Sequence, residues 1–362
     1  MPQAFYRRYR PSTFSDVLGQ ETIVRILKEA ARRGAFSHAY LFAGPRGSGK
    51  TTTARLIAKA ANCTALMDGE PCNECPSCME MNEGRNLDVI EIDAASNRGI
   101  DEIRNLKENV RSAPSRARFK VFIIDEVHML TTPAFNALLK TLEEPPEQVI
   151  LILATTEFEK IPPTITSRTQ QFHFKRVPLK VLTEKLMRIA ETEKVRIEPE
   201  ALELVASAAE GSFREAESLL DQLSTAYTDG ISTERVERMV GKVGFGTLNE
   251  CARYLLAGDT DAALALISEV ADLGHHLPQF TKDLIQFLRR VAVVSVSPKM
   301  GEKLAKELTD THLAALREHA KHFLMTEHLQ LLKGLIDAYA QMRYSQFAII
   351  PLEIAVIEGL RK

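Results

Sequence analysis

Gly44-Pro45-Arg46-Gly47-Ser48-Gly49-Lys50-Thr51 is the stretch that decides the fold. It follows the apolar run Ala39-Tyr40-Leu41-Phe42-Ala43 and opens into Thr52-Thr53-Ala54-Arg55-Leu56-Ile57-Ala58-Lys59-Ala60. A G-x-x-x-x-G-K-[ST] sequence set between a strand and a helix is a phosphate-binding loop. Its glycines let the backbone curl until its N–H groups face the phosphates, and the helix N-terminus adds positive potential. Lys50 supplies a point charge for the outer phosphates, and the Thr51 hydroxyl is placed to ligate Mg²⁺. The plain alternative, a glycine-rich turn with a chance lysine, loses ground to an acidic strand further along.

That strand is Lys120-Val121-Phe122-Ile123-Ile124-Asp125-Glu126. Four apolar residues in a row suit a buried parallel strand. Asp125 emerges at its carboxyl end, where open α/β sheets bind ligands, and can hold Mg²⁺ through the metal's water shell. Glu126 points elsewhere and has the chemistry to orient or deprotonate a water for attack on a γ-phosphate. Val149–Thr156 reads as another buried strand ending in two hydroxyls, Thr155 and Thr156, and Gln170–Phe174 as a shorter one, after the loop that carries Arg168. Acid, hydroxyl and guanidinium groups at strand ends suit nucleoside triphosphate hydrolysis better than transfer to an acceptor. His128 and His173 read as structural.

Between the loop and its acidic partner lie Cys63, Cys72, Cys75 and Cys78, spaced C-x8-C-x2-C-x2-C. Four soft thiolates suit tetrahedral Zn²⁺ in a closed, structural site. Iron–sulfur ligation shares the C-x2-C-x2-C run but lacks its C-x3-C-P continuation here, and free thiols are the third reading. Leu87–Asp93 reads as a second strand, Ala94–Gly99 as a loop presenting Arg98, and Ile100 to Val110 as a helix. Upstream, Tyr6-Arg7-Arg8-Tyr9-Arg10-Pro11 is basic and aromatic; it is either a solvated terminus or a segment folded over a nucleotide or phosphate backbone. A helix from Glu21 carries Ile23, Ile26, Leu27 and Ala30 on one face.

From Val177-Pro178 onward the strand signals stop. Amphipathic segments follow, one opening with Arg214 in its first turn, where the helix dipole disfavours a cation and an anion partner is wanted. An ATP phosphate would serve; Glu217 or Asp221 is the local competitor. Gly241, Gly244 and Gly246 mark a hinge before the helical stretches 248–256, 259–273, 277–296 and 312–344. His275, His276, His319 and His322 lack ligand company. The apolar stretch 352–359 runs nearly to the end, so the chain stops as a domain closes and a longer native protein is compatible with it. At 362 residues there is room for two or three domains. A formal charge of −2 means that nucleic acid would be met by a local basic face. No stretch reaches the roughly 18 uncharged apolar residues of a membrane span, and the N-terminus lacks a signal-peptide core, which points to the cytoplasm and no membrane contact.

Taken together, Tyr9-Arg10-Pro11, Val17-Leu18-Gly19-Gln20, the loop Gly44–Thr51, the four inserted cysteines, Ile124–Leu130 and Leu138–Pro146 resemble the gamma/tau family of AAA+ clamp-loader ATPases of bacterial DNA polymerase III. The resemblance covers essentially the whole chain. It implies a RecA-like P-loop parallel-sheet domain over 1–178 with a zinc insert at 63–78, a helical lid over 179–242 and an all-helical collar over 243–362. Lys50 and Thr51 would be Walker A, Asp125 and Glu126 Walker B, Thr156 (with Thr155 the alternative) sensor 1, and Arg214 sensor 2. Arg168 matches the arginine that completes a neighbour's ATP site, although Thr169 replaces the family's following cysteine. Nucleotide contacts would come from Gly44, Pro45, Arg46, Gly47, Ser48, Gly49, Lys50, Thr51 and Thr52, with Arg10, Val17 and Arg214. The implied cofactors are ATP, Mg²⁺ and structural Zn²⁺. The implied partners are other copies of the chain, delta and delta-prime subunits, the beta sliding clamp and primer–template DNA without sequence specificity, with Arg98 a candidate DNA contact. A different AAA+ DNA machine, such as a branch-migration motor or replication initiator, and a non-hydrolysing scaffold are the competing readings.

Overall fold

Strand β1 (Ala39–Ala43) lies wholly buried inside a five-stranded parallel sheet. A computed structural model of the chain describes residues 3–97, 108–110 and 112–361. Arg98, and most of the helix expected from Ile100, lie outside the described residues. The other strands are β2 (Val89–Asp93), β3 (Lys120–Asp125), β4 (Val149–Thr155) and β5 (Gln170–His173), in the order β2-β3-β4-β1-β5. This is the RecA-like sheet that the resemblance implies. β3 and β4 are continuous apolar runs because both their faces are covered. At the edge, β5 buries only Phe172.

Period-two alternation divides the core. Tyr40, Phe42, Val121 and Ile123 face one cluster with Leu27 and Ile57; Leu41, Phe122 and Ile124 face another with Leu138 and Ile165. Among the described residues, helices α1 (Phe5–Arg8), α2 (Glu21–Arg32), α3 (Lys50–Asn62), α4 (Pro76–Glu83), α5 (Thr132–Glu143) and α6 (Pro163–Thr166) belong to this unit, which comprises Met1–Val177 and Gly211–Glu215. In α2 the buried stripe is Ile23, Leu27 and Ala31, an i, i+4, i+8 row, and Ile26 stays exposed. Register sets the carboxyl ends level: Ala43 lies opposite Thr155, and Asp93 opposite Asp125. After β1 the chain crosses to the far edge and returns, so the first loop opens at a topological switch, where such sheets bind ligands.

The second unit, Pro178–Glu210 with Ala216–Lys362, is helical. Its largest core gathers Leu255, Ile267, Phe280, Leu284, Leu331, Leu335 and Leu352. The short apolar run Val291–Val296 closes the helix Leu277–Val296, burying Val291 and Ala292. The stretch 312–344 is interrupted: Asp310–Lys321 and Met325–Met342 are separate helices, and the Leu324 N–H donates to His328 Nδ1 (2.8 Å) at the break. Of the three hinge glycines, Gly241 ends a helix at φ +69°, Gly244 caps the next, and Gly246 lies inside it. Among the described residues no helix is long and apolar enough to cross a membrane.

Candidate functional site

The loop between β1 and α3 needs its glycines. Gly44, Gly47 and Gly49 adopt φ +148°, +70° and +101°. A Cβ on Gly47 would stand 1.8 Å from Ser212 Oγ, and one on Gly44 would stand 2.4 Å from the Phe174 carbonyl oxygen. The Phe213 N–H donates to the Gly47 carbonyl (3.2 Å), which seats the segment before Arg214 on the loop. Gly47→Ala is therefore expected to lower stability by about 1–3 kcal/mol through the strained φ, and to weaken nucleotide binding as Ser212 is displaced. Thermal unfolding and nucleotide titration of the variant check both.

Lys50 is buried, and its Nζ donates to the carbonyls of Gly44 (2.8 Å) and Pro45 (2.9 Å). Burial pushes its pKa down, opposed by the charges of Glu126 and Asp125. Ser48 Oγ donates to Pro45 O (2.8 Å) and holds the curl. The Thr51 hydroxyl donates to Asp125 Oδ2 (2.6 Å), so the two oxygens proposed for one cation already meet. Thr52, Pro45 and Arg46 stand beside them with their side chains partly or fully exposed.

Glu126 sits at φ +48°, ψ +44°, a left-handed conformation that turns its carboxylate away from Asp125. Glu126 Oε2 accepts hydrogen bonds from the Thr156 hydroxyl (2.9 Å) and amide (3.3 Å). Thr155 points inward, its Oγ1 3.1 Å from His128 Nδ1. Of the two hydroxyls, Thr156 thus faces the acid. The His128 side chain, 6% exposed, reaches Glu126 Oε2 at 3.4 Å through Nδ1 and Glu157 Oε1 at 3.1 Å through Nε2.

Three arginines stand at different depths. Arg214 is exposed, with its guanidinium 5.1 Å over the Tyr6 ring, while Glu217 pairs with Lys185 (2.6 Å). Tyr6 belongs to α1, whose Phe5 is buried, so the basic opening is a docked helix and not a solvated tail. Arg10 follows α1 half-exposed, and Val17 is buried in the core beside Phe14. Arg168 follows α6 at the surface. Its side chain is 37% exposed, Nη2 pairs with Glu143 Oε1 (2.9 Å), and Nη1 donates to Thr164 O (2.9 Å). The site of this molecule holds Lys50, Thr51, Asp125, Glu126 and Thr156 together; Arg168 faces outward.

Cys63, Cys72, Cys75 and Cys78 bring their sulfurs within 4.8 Å of one another. Cys72 and Cys78 sulfurs are 4.0 Å apart, against about 3.8 Å for the edge of a tetrahedron with Zn–S near 2.3 Å. The Cys72 and Cys75 N–H groups donate to Cys63 and Cys72 sulfurs at 3.3 Å each, bonds that favour thiolates. Cys75, against burial, is drawn down to about 6 by hydrogen bonds from the Thr64 and Cys78 backbone. Burial pushes the Cys63 and Cys78 thiols up, so these two need a cation to ionise; donor number and spacing fit one Zn²⁺.

Three family models match the chain in succession: the DNA polymerase III delta subunit over 19–178, the ATPase lid domain of DNA polymerase III clamp-loader subunits over 181–230, and domain III of DNA polymerase III subunits gamma and tau over 231–360. DNA polymerase III subunit tau of Bacillus subtilis is 42% identical over 356 residues, 98% of this chain. The chain belongs to the gamma/tau family of DNA polymerase III subunits. The tau subunit of Escherichia coli is 44% identical over 304 residues, 84% of this chain. The chain spans 63% of the first of these relatives and 47% of the second. Among solved structures, the RuvB Holliday junction branch migration motor of Thermotoga maritima overlays with a TM-score of 0.47 at 21% identity, over 68% of this chain and 79% of that one.

Within this gamma/tau chain, several residues of the site carry no motif signal of their own role. Gln20, buried, donates to Lys175 O (2.8 Å) and accepts from Lys175 N (3.2 Å), clamping the strand-end backbone beside the loop. Glu70, inside the cysteine insert, accepts from Phe14 N (2.6 Å) and Ser15 N (3.0 Å) and pairs with Lys28 (3.1 Å), docking the insert on α2 and the opening segment. The identity of Gln20 as part of a Gly-Gln pair is the one hint the sequence offers; its partner lies 155 residues away.

Proposed function

We propose that this chain is the ATP-hydrolysing motor subunit of a bacterial replicative clamp loader. The observation that carries the reading is the meeting of Thr51 Oγ1 and Asp125 Oδ2 at 2.6 Å beside Lys50, with Glu126 turned onto Thr156. A loop carrying Lys50 and the helix N-terminus at Thr51 and Thr52 binds the phosphates. Thr51 and Asp125 would hold Mg²⁺, which when bound neutralises charge on the β- and γ-phosphates. Glu126 orients a water and takes its proton, Thr156 fixes the Glu126 carboxylate, and Arg214 approaches from the segment that Ser212 and Phe213 seat on the loop.

Arg168, outward and surface-held, serves the site of the next copy, so turnover depends on assembly. The residues 179–242 act as the lid and 243–362 as the collar that joins copies with delta and delta-prime subunits. ATP binding orders the subunits, creating affinity for an open beta sliding clamp and for primer–template DNA. DNA is met through phosphates and shape, so binding is salt-dependent and independent of sequence. Hydrolysis then releases the clamp closed. The four cysteines hold a structural Zn²⁺, and the protein works in the bacterial cytoplasm.

The test is ATP turnover by the reconstituted assembly with sliding clamp and primed DNA, added singly and together. Turnover should rise most with both. Stimulation by four-way junction DNA and indifference to the clamp would reassign the chain to another DNA motor. Absence of turnover under all conditions would make it a scaffold.

A further inference from the structure

Lys59 lies in the last turn of α3, and only 3% of it is exposed. Its Nζ donates to Ser12 O (3.3 Å), to Asn82 Oδ1 (2.6 Å) and to Asn73 Oδ1. All three acceptors are uncharged, and among the described residues no carboxylate pairs with it. Hydrogen bonds to neutral oxygens satisfy the N–H groups but do not balance a buried charge, which is costly to bury unpaired. Burial pushes the Lys59 pKa down, and the charges of Cys78, Cys72, Cys63 and Cys75 oppose that, so the ammonium keeps its proton only with anionic neighbours.

The cysteine cluster is that neighbour. Asn73 lies between Cys72 and Cys75, Asn82 is in the helix α4 that carries Cys78, and Lys59 is four residues before Cys63. Four neutral thiols would give the ammonium nothing. A divalent ion inside four thiolates carries a net charge of about −2, and the backbone N–H···S bonds to the sulfurs spread only part of it. We propose that Lys59 is the counter-ion of the four-cysteine metal centre, and that it ties this centre to the closing turn of the helix that Lys50 and Thr51 open. The inference rests on the metal reading above. It makes Lys59 a positioning residue: Ser12 of the opening segment, Asn73 and Asn82 of the insert and the nucleotide-binding helix all converge on one ammonium, which the centre holds charged.

The full chain is purified with Zn²⁺, and metal content and release to a chelator are measured for wild type, Lys59→Met and Lys59→Arg. Lys59→Met should release zinc about tenfold faster or more, the range of lost outer-shell partners, and Lys59→Arg should recover part of the retention. Thermal unfolding supplies the second readout. Lys59→Met should unfold well below wild type when both hold metal, and that deficit should largely vanish when both are stripped. An unchanged release rate, or an equal deficit in both states, overturns the assignment and leaves Lys59 a plain hydrogen-bonding residue. Should Lys59→Met not fold, Asn82→Asp keeps the lysine but offers it a rival carboxylate; faster zinc release supports the proposal and wild-type release refutes it. A wild type that takes up neither Zn²⁺ nor Co²⁺ removes the centre together with its counter-ion, a failure distinct from a metal-holding wild type with an indifferent variant.

Discussion

Arg168→Ala will leave ATP binding by the isolated chain essentially intact and will cut the clamp- and DNA-stimulated turnover of the assembly by about 10³-fold or more, the lower range for an arginine supplied in trans. The first half follows from where Arg168 stands. Among the described residues its side-chain partners are Glu143 at 2.9 Å, the Thr164 carbonyl at 2.9 Å and Ser167 Oγ at 3.2 Å, none of them part of the phosphate loop or the acidic strand end. An exposed pair such as Arg168 with Glu143 contributes about 0–1 kcal/mol, so the variant should fold and bind as wild type does. The second half follows from chemistry: a planar guanidinium that gives up one weak surface carboxylate can grip a γ-phosphate with two parallel hydrogen bonds. Arg168→Lys should rescue little, because a point charge lacks that fork. The two measurements are nucleotide titration of the isolated chain and steady-state turnover of the assembly. If the isolated variant loses ATP binding as severely as the assembly loses turnover, Arg168 acts inside its own molecule and the proposal of a shared site fails.

The parts of this site that could be read in the sequence are those whose chemistry is local. A phosphate loop needs its glycines, lysine and hydroxyl within eight residues, so Gly44 to Thr51 announces both the fold and the ligand class. Asp125 and Glu126 cap an apolar run and betray a strand end. Four cysteines at C-x8-C-x2-C-x2-C close on themselves. Through-space partners leave no such trace. Gln20 meets Lys175 across 155 residues, Glu70 meets Phe14 across 56, and nothing periodic in either segment announces the pairing. His128 shows the limit well. As a buried side chain with partners it answers to a structural reading, yet those partners are Glu126 and Glu157, which the segments after β3 and β4 bring to its two nitrogens.

The helical half is less legible in the sequence for a physical reason. Amphipathic patterns fix faces but not breaks. The stretch 312–344 stays apolar at helical spacing through a break at which the Leu324 N–H turns to the His328 ring. The Gly246 position misleads in the same way. Glycine marks hinges where φ is positive, as at Gly241, but Gly246 keeps helical geometry and lies within Phe245–Ala257.

Glu126→Gln should lower kcat by about 10²- to 10⁴-fold, the share a positioned general base contributes, with ATP affinity and stability near wild type. Glutamine keeps the volume and the acceptor oxygen that Thr156 uses at 2.9 and 3.3 Å, and it leaves the Thr51–Asp125 pair untouched. What it removes is the capacity to take a proton. The left-handed backbone at residue 126, φ +48°, costs about 1–3 kcal/mol in either variant or wild type, so it drops out of the comparison. Such strain at a non-glycine position persists only where the surroundings enforce it, and here it aims the carboxylate off the strand toward Thr156. Glu126→Ala is the informative contrast: it also strips Thr156 of its acceptor, so it should disturb stability where glutamine does not. Single-turnover hydrolysis and nucleotide titration separate the two effects. Wild-type chemistry in Glu126→Gln would mean that the water is activated by some other group, and the strained turn after β3 would then have only Thr156 and His128 to account for it.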